Sequence, residues 1–170
     1  MTVTLALVKQ QLRITHSDED VLLAQYIASA KAWIERYTAL NTEEAEVTDR
    51  FLSFGDYLTL TRGPFVELTG VSYLDTAGDP QTFADARFQD GRLYAPLTGW
   101  PLVQPYSTIE VTYLAGYDPY NPVPEELVQA QLLLIGHWYQ NREAVAEGTF
   151  NELPLAVEAL AGPFRLPTIA

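Results

Sequence analysis

Val123–Glu143 reads VPEELVQAQLLLIGHWYQNRE, and its pattern predicts a helix that is apolar nearly all the way round. Pro124 suits the first helical position, and Glu125 and Glu126 fall in the first turn, where the helix dipole favours negative charge. Leu127, Ala130, Leu134 and Trp138 form one stripe, with Val128, Leu132, Ile135 and Tyr139 beside it. Gln129, Gly136 and Gln140 make only a thin polar seam. A helix of this kind has to be surrounded, by its own fold or by neighbouring subunits. It ends abruptly in an aromatic, amide and charge cluster.

Working outward, Gly116–Pro122 (GYDPYNP) is a loop rich in turn residues that leads into this helix. Thr4 is an N-cap for a short helix to about Leu12, with Leu5, Val8 and Leu12 at helical spacing. Ser17 opens S-D-E-D, a capping-box-like start for a longer helix to about Leu40. Leu22, Leu23, Tyr26, Ile27, Ala30, Trp33, Ile34 and Tyr37 line one face of it. Ala24, Ala28, Lys31, Ala32 and Glu35 line the other, a mixture of small and charged residues suited to solvent or to close approach of another helix. From Val47 to Ala115 the period changes from 3.6 to alternation. Strands are predicted at Tyr57–Thr61, Val66–Leu74, Thr82–Phe88, Arg92–Tyr94 and Thr108–Leu114, with turn residues dense over Asp75–Pro80. Prolines at 64, 96, 101 and 105 point to edges rather than a continuous barrel. After Glu143 a polar stretch precedes Pro154, which opens a short amphipathic helix, Leu155–Leu160, stopped by Gly162-Pro163. The tail from Phe164 has no evident place in a compact fold.

The expected fold is therefore α+β: a mainly α-helical core of two long helices plus short N- and C-terminal helices, with a small antiparallel β-lobe inserted between the long helices. Its expected division is a helical core with a C-terminal tail, residues 1–46 and 116–170, around a β-lobe at residues 47–115.

Of 170 residues, 48% are hydrophobic and 19% charged, the balance of a globular chain. No apolar run approaches the ~20 residues needed to span a bilayer, and Met1–Lys9 lacks a basic region followed by an apolar one. A soluble, cytoplasmic product with no membrane partner is expected. The absence of cysteine excludes disulfides, thiolate metal sites and cysteine nucleophiles. A net charge of −12 repels DNA phosphates, so ordinary nucleic-acid binding is not expected. Two readings of the acidity stand: solubility, or a wall along which DNA passes without sticking.

The residues give little for an enzyme. No glycine pattern matches a phosphate-cradling loop or a nucleophile elbow. His16 and His137 are far apart and lack ligand spacing, so no metal and no cofactor are predicted. Asp18, Glu19 and Asp20 read as capping and dipole partners, and Glu43, Glu44 and Glu46 as a solvated loop. Asp75 and Asp79 flank a turn without the ligand count of a calcium loop. The aromatics of the strand region, from Phe51 to Trp100, lack the interleaved basic residues of a nucleic-acid platform and read as packing.

Four segments together resemble the phage head–tail connector family, also called head-completion or adaptor proteins, in a long form with an inserted β-lobe. They are LALVKQQLRITHSDED (Leu5–Asp20), ASAKAWIERY (Ala28–Tyr37), YLAGY (Tyr113–Tyr117) followed by Val123-Pro124, and HWYQNREA (His137–Ala144) with Leu153-Pro154-Leu155 and Leu160 beyond. The likeness covers nearly the whole chain, and the order and spacing of the segments carry it. It implies a structural role without catalysis or cofactor: a twelvefold ring of copies on the portal protein, located in the virion neck and assembled in the host cytoplasm. The ring would extend the DNA channel and offer a platform to a downstream neck or tail protein, DNA passing without specific binding.

Within that resemblance three groups of contact residues are expected. Leu155, Val157, Leu160, Phe164, Arg165 and Leu166 are candidates for portal docking, or for folding back on the core. Trp138, Tyr139, Asn141 and Arg142 fix the end of the central helix, with Arg142 paired to an acidic residue of the second helix or of a neighbouring subunit. Asp75, Gly78, Asp79 and Pro80 are candidates for contact between the β-lobe and another component. Another neck or tail-completion protein, or a small α+β enzyme or ligand-binding module, are the competing classes. The second of these requires a polar pocket with convergent acids.

Overall fold

The structure is a computed structural model, described here for residues 2–142 and 155–166. These divide into two compact units, one built from the chain up to Thr42 and from Asp118 to Arg165, the other from Glu43–Tyr117 with Leu166.

The first unit is helical. Helix α1, Leu5–Leu12, begins where Thr4 Oγ1 accepts the Leu7 amide at 3.2 Å and stops at Arg13, which turns left-handed. Helix α2, Asp20–Thr38, buries Leu23, Ala30, Ile34 and Thr38 on one stripe. Its N-cap is Glu19, with no side-chain cap bond, so the capping box expected from Ser17 does not form. At the far end Thr38 Oγ1 donates to the Ile34 carbonyl (2.7 Å) and accepts the Leu40 amide (3.2 Å), closing the helix before Ala39 turns left-handed. Helix α3, Glu125–Gln140, is the apolar helix of the opening segment, and Pro124 is its N-cap. Leu127, Val128, Ala130, Gln131, Leu132, Leu134 and Ile135 are buried, for α3 packs against α1, α2 and helix α4, Leu155–Ala161. Its surroundings are thus supplied within the chain. A short 3-10 turn, Gly162–Phe164, follows α4.

The second unit holds seven strands in two antiparallel sheets. Strands β1 (Ala45–Phe51), β7 (Ile109–Ala115), β3 (Phe65–Leu74) and β4 (Pro80–Phe83) lie side by side in that order. Strands β2 (Tyr57–Thr59), β6 (Arg92–Tyr94) and β5 (Arg87–Gln89) form the second sheet. Central strand β7 alternates perfectly, turning Ile109, Val111, Tyr113 and Ala115 inward. These pack with Val71 of β3, Leu58 of β2 and Leu93 of β6 into one core, flanked by Phe54, Phe65, Phe83 and Trp100.

This overturns the expectation of a mainly helical core carrying a small β-lobe. Among the described residues there are four α-helices and seven strands, about 35% helix and 25% strand. The strands were undercounted for a physical reason. In β1, AEVTDRF, three charged residues interrupt the apolar alternation, and Glu46, read as part of a loop, lies within the strand. The expected strand Thr82–Phe88 is two short strands, β4 and β5, belonging to different sheets. Three- and four-residue strands carry too few alternations for a period to show.

Candidate interaction surfaces

The end of α3 is tied to the start of α2. Glu19, at the N-cap of α2, accepts the Tyr139 hydroxyl at 2.5 Å and Arg142 Nη2 at 2.5 Å. The guanidinium of Arg142 also lies 4.5 Å from the centre of the Tyr139 ring, a cation–π arrangement. The Tyr139 hydrogen bond, then that of Arg142, holds the Glu19 carboxyl below its usual range, and the same bonds raise Tyr139 and Arg142. Trp138 meets Tyr26 of α2 at 6.2 Å between ring centres. Asn141 caps α3 twice, its amide (3.0 Å) and its Nδ2 (2.9 Å) both donating to the His137 carbonyl. The four helix-end candidates therefore all have partners in their own chain. Glu19 reads from the sequence as a capping and dipole partner, and it is the acidic residue at the start of the second helix with which Arg142 pairs. The signal that names it is the positional pairing of an acidic α2 start with a basic α3 end.

The segment around α4 separates its residues. Val157 and Ala161 are fully buried, while Leu155 is 78% exposed. Leu160, Phe164 and Leu166 are half-buried, and Arg165 is exposed. Arg165 stands over the Tyr37 ring of α2 at 5.6 Å. Val157 thus belongs to the core of the helical unit, and Leu155, Leu160, Phe164, Arg165 and Leu166 keep exposed surface.

The hairpin joining β3 to β4 is built on Asp75. Its Oδ1 accepts the amides of Ala77 (2.9 Å) and Asp79 (3.1 Å), and its Oδ2 accepts Gln81 Nε2 (2.9 Å). Gly78 takes φ +90°, a conformation that strains any residue with a Cβ. The hydrogen bond with Asp79, then that of Gln81, keeps the Asp75 carboxyl below its usual value. Asp79 and Pro80 are exposed beside it.

A buried polar group was not anticipated from sequence. Asp49 of β1 is 7% exposed and accepts the Tyr113 hydroxyl (2.9 Å), the Thr61 amide (2.7 Å) and Thr61 Oγ1 (2.5 Å). Burial, then the nearby Asp49 charge, pushes the Tyr113 hydroxyl up to about 12. Asp49 lies two residues from both Val47 and Phe51, so alternation alone places it on their inward face. The arrangement closes on itself and offers no free acid or base. Among the described residues no group of three acidic or histidine side chains is placed to hold a metal, and no helix is long and apolar enough to cross a membrane.

Packed helices in one unit and paired antiparallel sheets in the other, with the polar clusters described above satisfied by their own chain, define an α+β protein. The whole fold recurs in particle necks. The chain is similar to one in the neck of an empty gene transfer agent particle computed with C6 symmetry, at 25% identity and a TM-score of 0.78, covering 99% of this chain and 92% of that one. It is also similar to one in the neck of a native particle computed with C12 symmetry, at 25% identity and a TM-score of 0.72, covering 100% and 96%. A chain of the native gene transfer agent virion shares the fold at 24% identity and a TM-score of 0.77. A comparison with curated proteins finds no match. The chain belongs to the phage gp6-like head-tail connector protein family, which it matches over residues 2–60 and 102–165. Its role is structural, that of a head–tail connector or adaptor, as the four resembling segments imply.

Proposed function

We propose that copies of this chain form a ring, twelvefold when assembled, on the portal of a filled head, extending the DNA channel and presenting a platform to the next neck or tail protein. The observation that carries this reading is the family match through both helical segments, joined to full-length likeness to neck chains of C6- and C12-symmetric reconstructions. The role needs no catalysis and no cofactor. A net charge of −12 suits a wall past which DNA slides without specific binding. The helical unit, up to Thr42 and from Asp118, serves as the connector core with its docking tail, and the strand unit, Glu43–Tyr117, as the inserted lobe. In the tail Val157 anchors α4, while Leu155, Leu160, Phe164, Arg165 and Leu166 face the portal. Trp138, Tyr139, Asn141 and Arg142 fix the end of α3. The hairpin tip at Asp75, Gly78, Asp79 and Pro80 meets a component outside the ring. Assembly takes place in the host cytoplasm and ends in the virion neck.

The test is to remove the gene from the element that encodes it and to image the lysate by electron microscopy. Packaged or leaking heads beside separate, complete tails are the expected result. Normal joined particles would overturn the connector reading. The portal assignment has its own check: Leu155→Glu should abolish co-purification with portal while leaving the thermal midpoint unchanged.

A further inference from the structure

The three most exposed large apolar side chains of the β unit lie on one loop, between β6 and β7. From Leu93 to Ile109 the chain carries no charged residue and no histidine, its longest such stretch, although the whole has a net charge of −12. On that loop Leu97 is 92% exposed, Leu102 81% and Tyr106 100%. The loop is nevertheless fixed. Trp100 stacks on Phe54 at 4.6 Å, and with Val103 it packs against the β core. The Gln104 amide donates to the Leu74 carbonyl at 2.9 Å, and both the amide (3.2 Å) and hydroxyl (2.8 Å) of Ser107 donate to the Gln104 carbonyl.

Between those anchors Tyr106 adopts φ +63°, the left-handed region that a bulky side chain avoids. Holding an aromatic there is strained, and the ring that this strain projects is fully exposed to solvent. Prolines at 96, 101 and 105 lower the entropy lost when such a loop is pinned in an interface. A rigid, neutral, aromatic-bearing loop has the composition of an interface centre, where charge is depleted and tyrosine enriched.

We infer that this loop is the contact through which one copy of the chain seats on a different surface of the next copy in the ring. The inference rests on the ring reading above. Charge selects the occupant. Two copies that each carry −12 meet at lower electrostatic cost where one side of the contact adds no acid, and Leu93–Ile109 is the longest part of the chain that adds none. A ring contact is heterologous, so one patch suffices on each copy without having to be self-complementary.

The test places a photo-crosslinking benzoylphenylalanine at Tyr106, and separately at Leu155, in full-length chain supplied to particle-producing cells. Adducts from purified particles are then identified by mass spectrometry. The expected result is a Tyr106 adduct to a second copy of this chain and a Leu155 adduct to a different protein. A Tyr106 adduct to another neck component, or no Tyr106 adduct while Leu155 reacts, overturns the loop assignment and leaves the ring reading standing. Absence of the chain from joined particles overturns both. As a second readout, the Leu102→Glu/Tyr106→Glu double variant should lower the yield of joined particles by about tenfold or more, with an unchanged thermal midpoint for the isolated chain. Normal yield would count against the loop.

Discussion

The two units bury their interiors by different means. The helical unit surrounds α3 with α1, α2 and α4, and its described interior is almost entirely aliphatic, Thr38, Thr42 and Gln131 being the polar exceptions. The β unit has an apolar core too, but places a carboxylate, Asp49, in it and satisfies that group with Tyr113 and Thr61. Aliphatic packing is graded: losing one methyl group weakens it without abolishing it. A buried carboxylate is not graded, because a missing partner leaves a group that neither water nor protein solvates. Truncations should therefore cost the helical unit in proportion to volume, whereas the β unit should respond to chemistry at constant volume.

The largest effect is expected where packing is tightest. Gly116 takes φ +141°, and a Cβ there would lie 2.3 Å from the Glu43 carbonyl oxygen and 2.6 Å from the Glu44 Cα. Both are backbone atoms and cannot rotate away. Gly116→Ala should destabilise by at least about 3 kcal/mol, or prevent folding, as read by urea denaturation. In the helical unit Leu134→Ala removes a fully buried side chain and should cost about 2–5 kcal/mol. A loss below about 1 kcal/mol would mean that α3 is less enclosed than its burial implies.

Next comes the buried carboxylate. Asp49→Ala strands the Tyr113 hydroxyl and the Thr61 amide and should cost about 2–4 kcal/mol. The near-isosteric Asp49→Asn tests charge against shape and should cost less. Tyr113 adds a pH readout. Its folded pKa is raised from 10.0 to about 12, so the stability it contributes is complete below pH 10 and is lost as pH rises toward 12. Ultraviolet titration should show a tyrosine component near pH 12 that disappears in Tyr113→Phe. If Tyr113→Phe removes no tyrosine from that component, or Asp49→Ala leaves it in place, the Asp49–Tyr113 pairing is wrong.

The two units also differed in how far their sequences could be read. α3 was legible because 16 mostly apolar residues are too long a run for a strand, and because Glu125 and Glu126 mark its start. β7 was legible because Ile109, Val111 and Tyr113 alternate without interruption. β1, β4 and β5 were not, being either short or broken by charge, and the balance of helix to strand was misjudged for that reason. The chain's membership of the connector family was readable from four dispersed segments, none of which is diagnostic by itself. Asp49 is not legible until β1 is known to be a strand: alternation then sets it on the face of Val47 and Phe51, while the partner that satisfies its charge, on β7, lies more than fifty residues away.

α4 sharpens the contrast within the helical unit. Val157→Asp puts a charge into a fully buried site and should cost about 3 kcal/mol or more, whereas Leu155→Ala, one turn face away, should change stability by less than about 0.5 kcal/mol. Equal effects would mean that α4 does not keep this orientation. A truncation ahead of α4 is a poor probe of docking for the same reason, because it removes Val157 and Ala161 from the core along with the exposed residues.

The smallest expected effect lies at the junction of α2 and α3. Glu19 receives Tyr139 and Arg142 at the surface, where solvent and salt screen the pair. Its folded pKa is lowered from 4.5, so the stability it contributes is present above that value and is lost as pH falls below it. Thermal midpoints of the wild type and of Glu19→Gln should differ at neutral pH and converge as the pH drops below 4.5. Added salt should narrow the neutral-pH difference. A difference that persists in acid would assign the effect to hydrogen-bond geometry rather than to charge. The α2–α3 junction would then resemble the polar cluster of the β unit, and the contrast between graded and ungraded interiors would not extend to it.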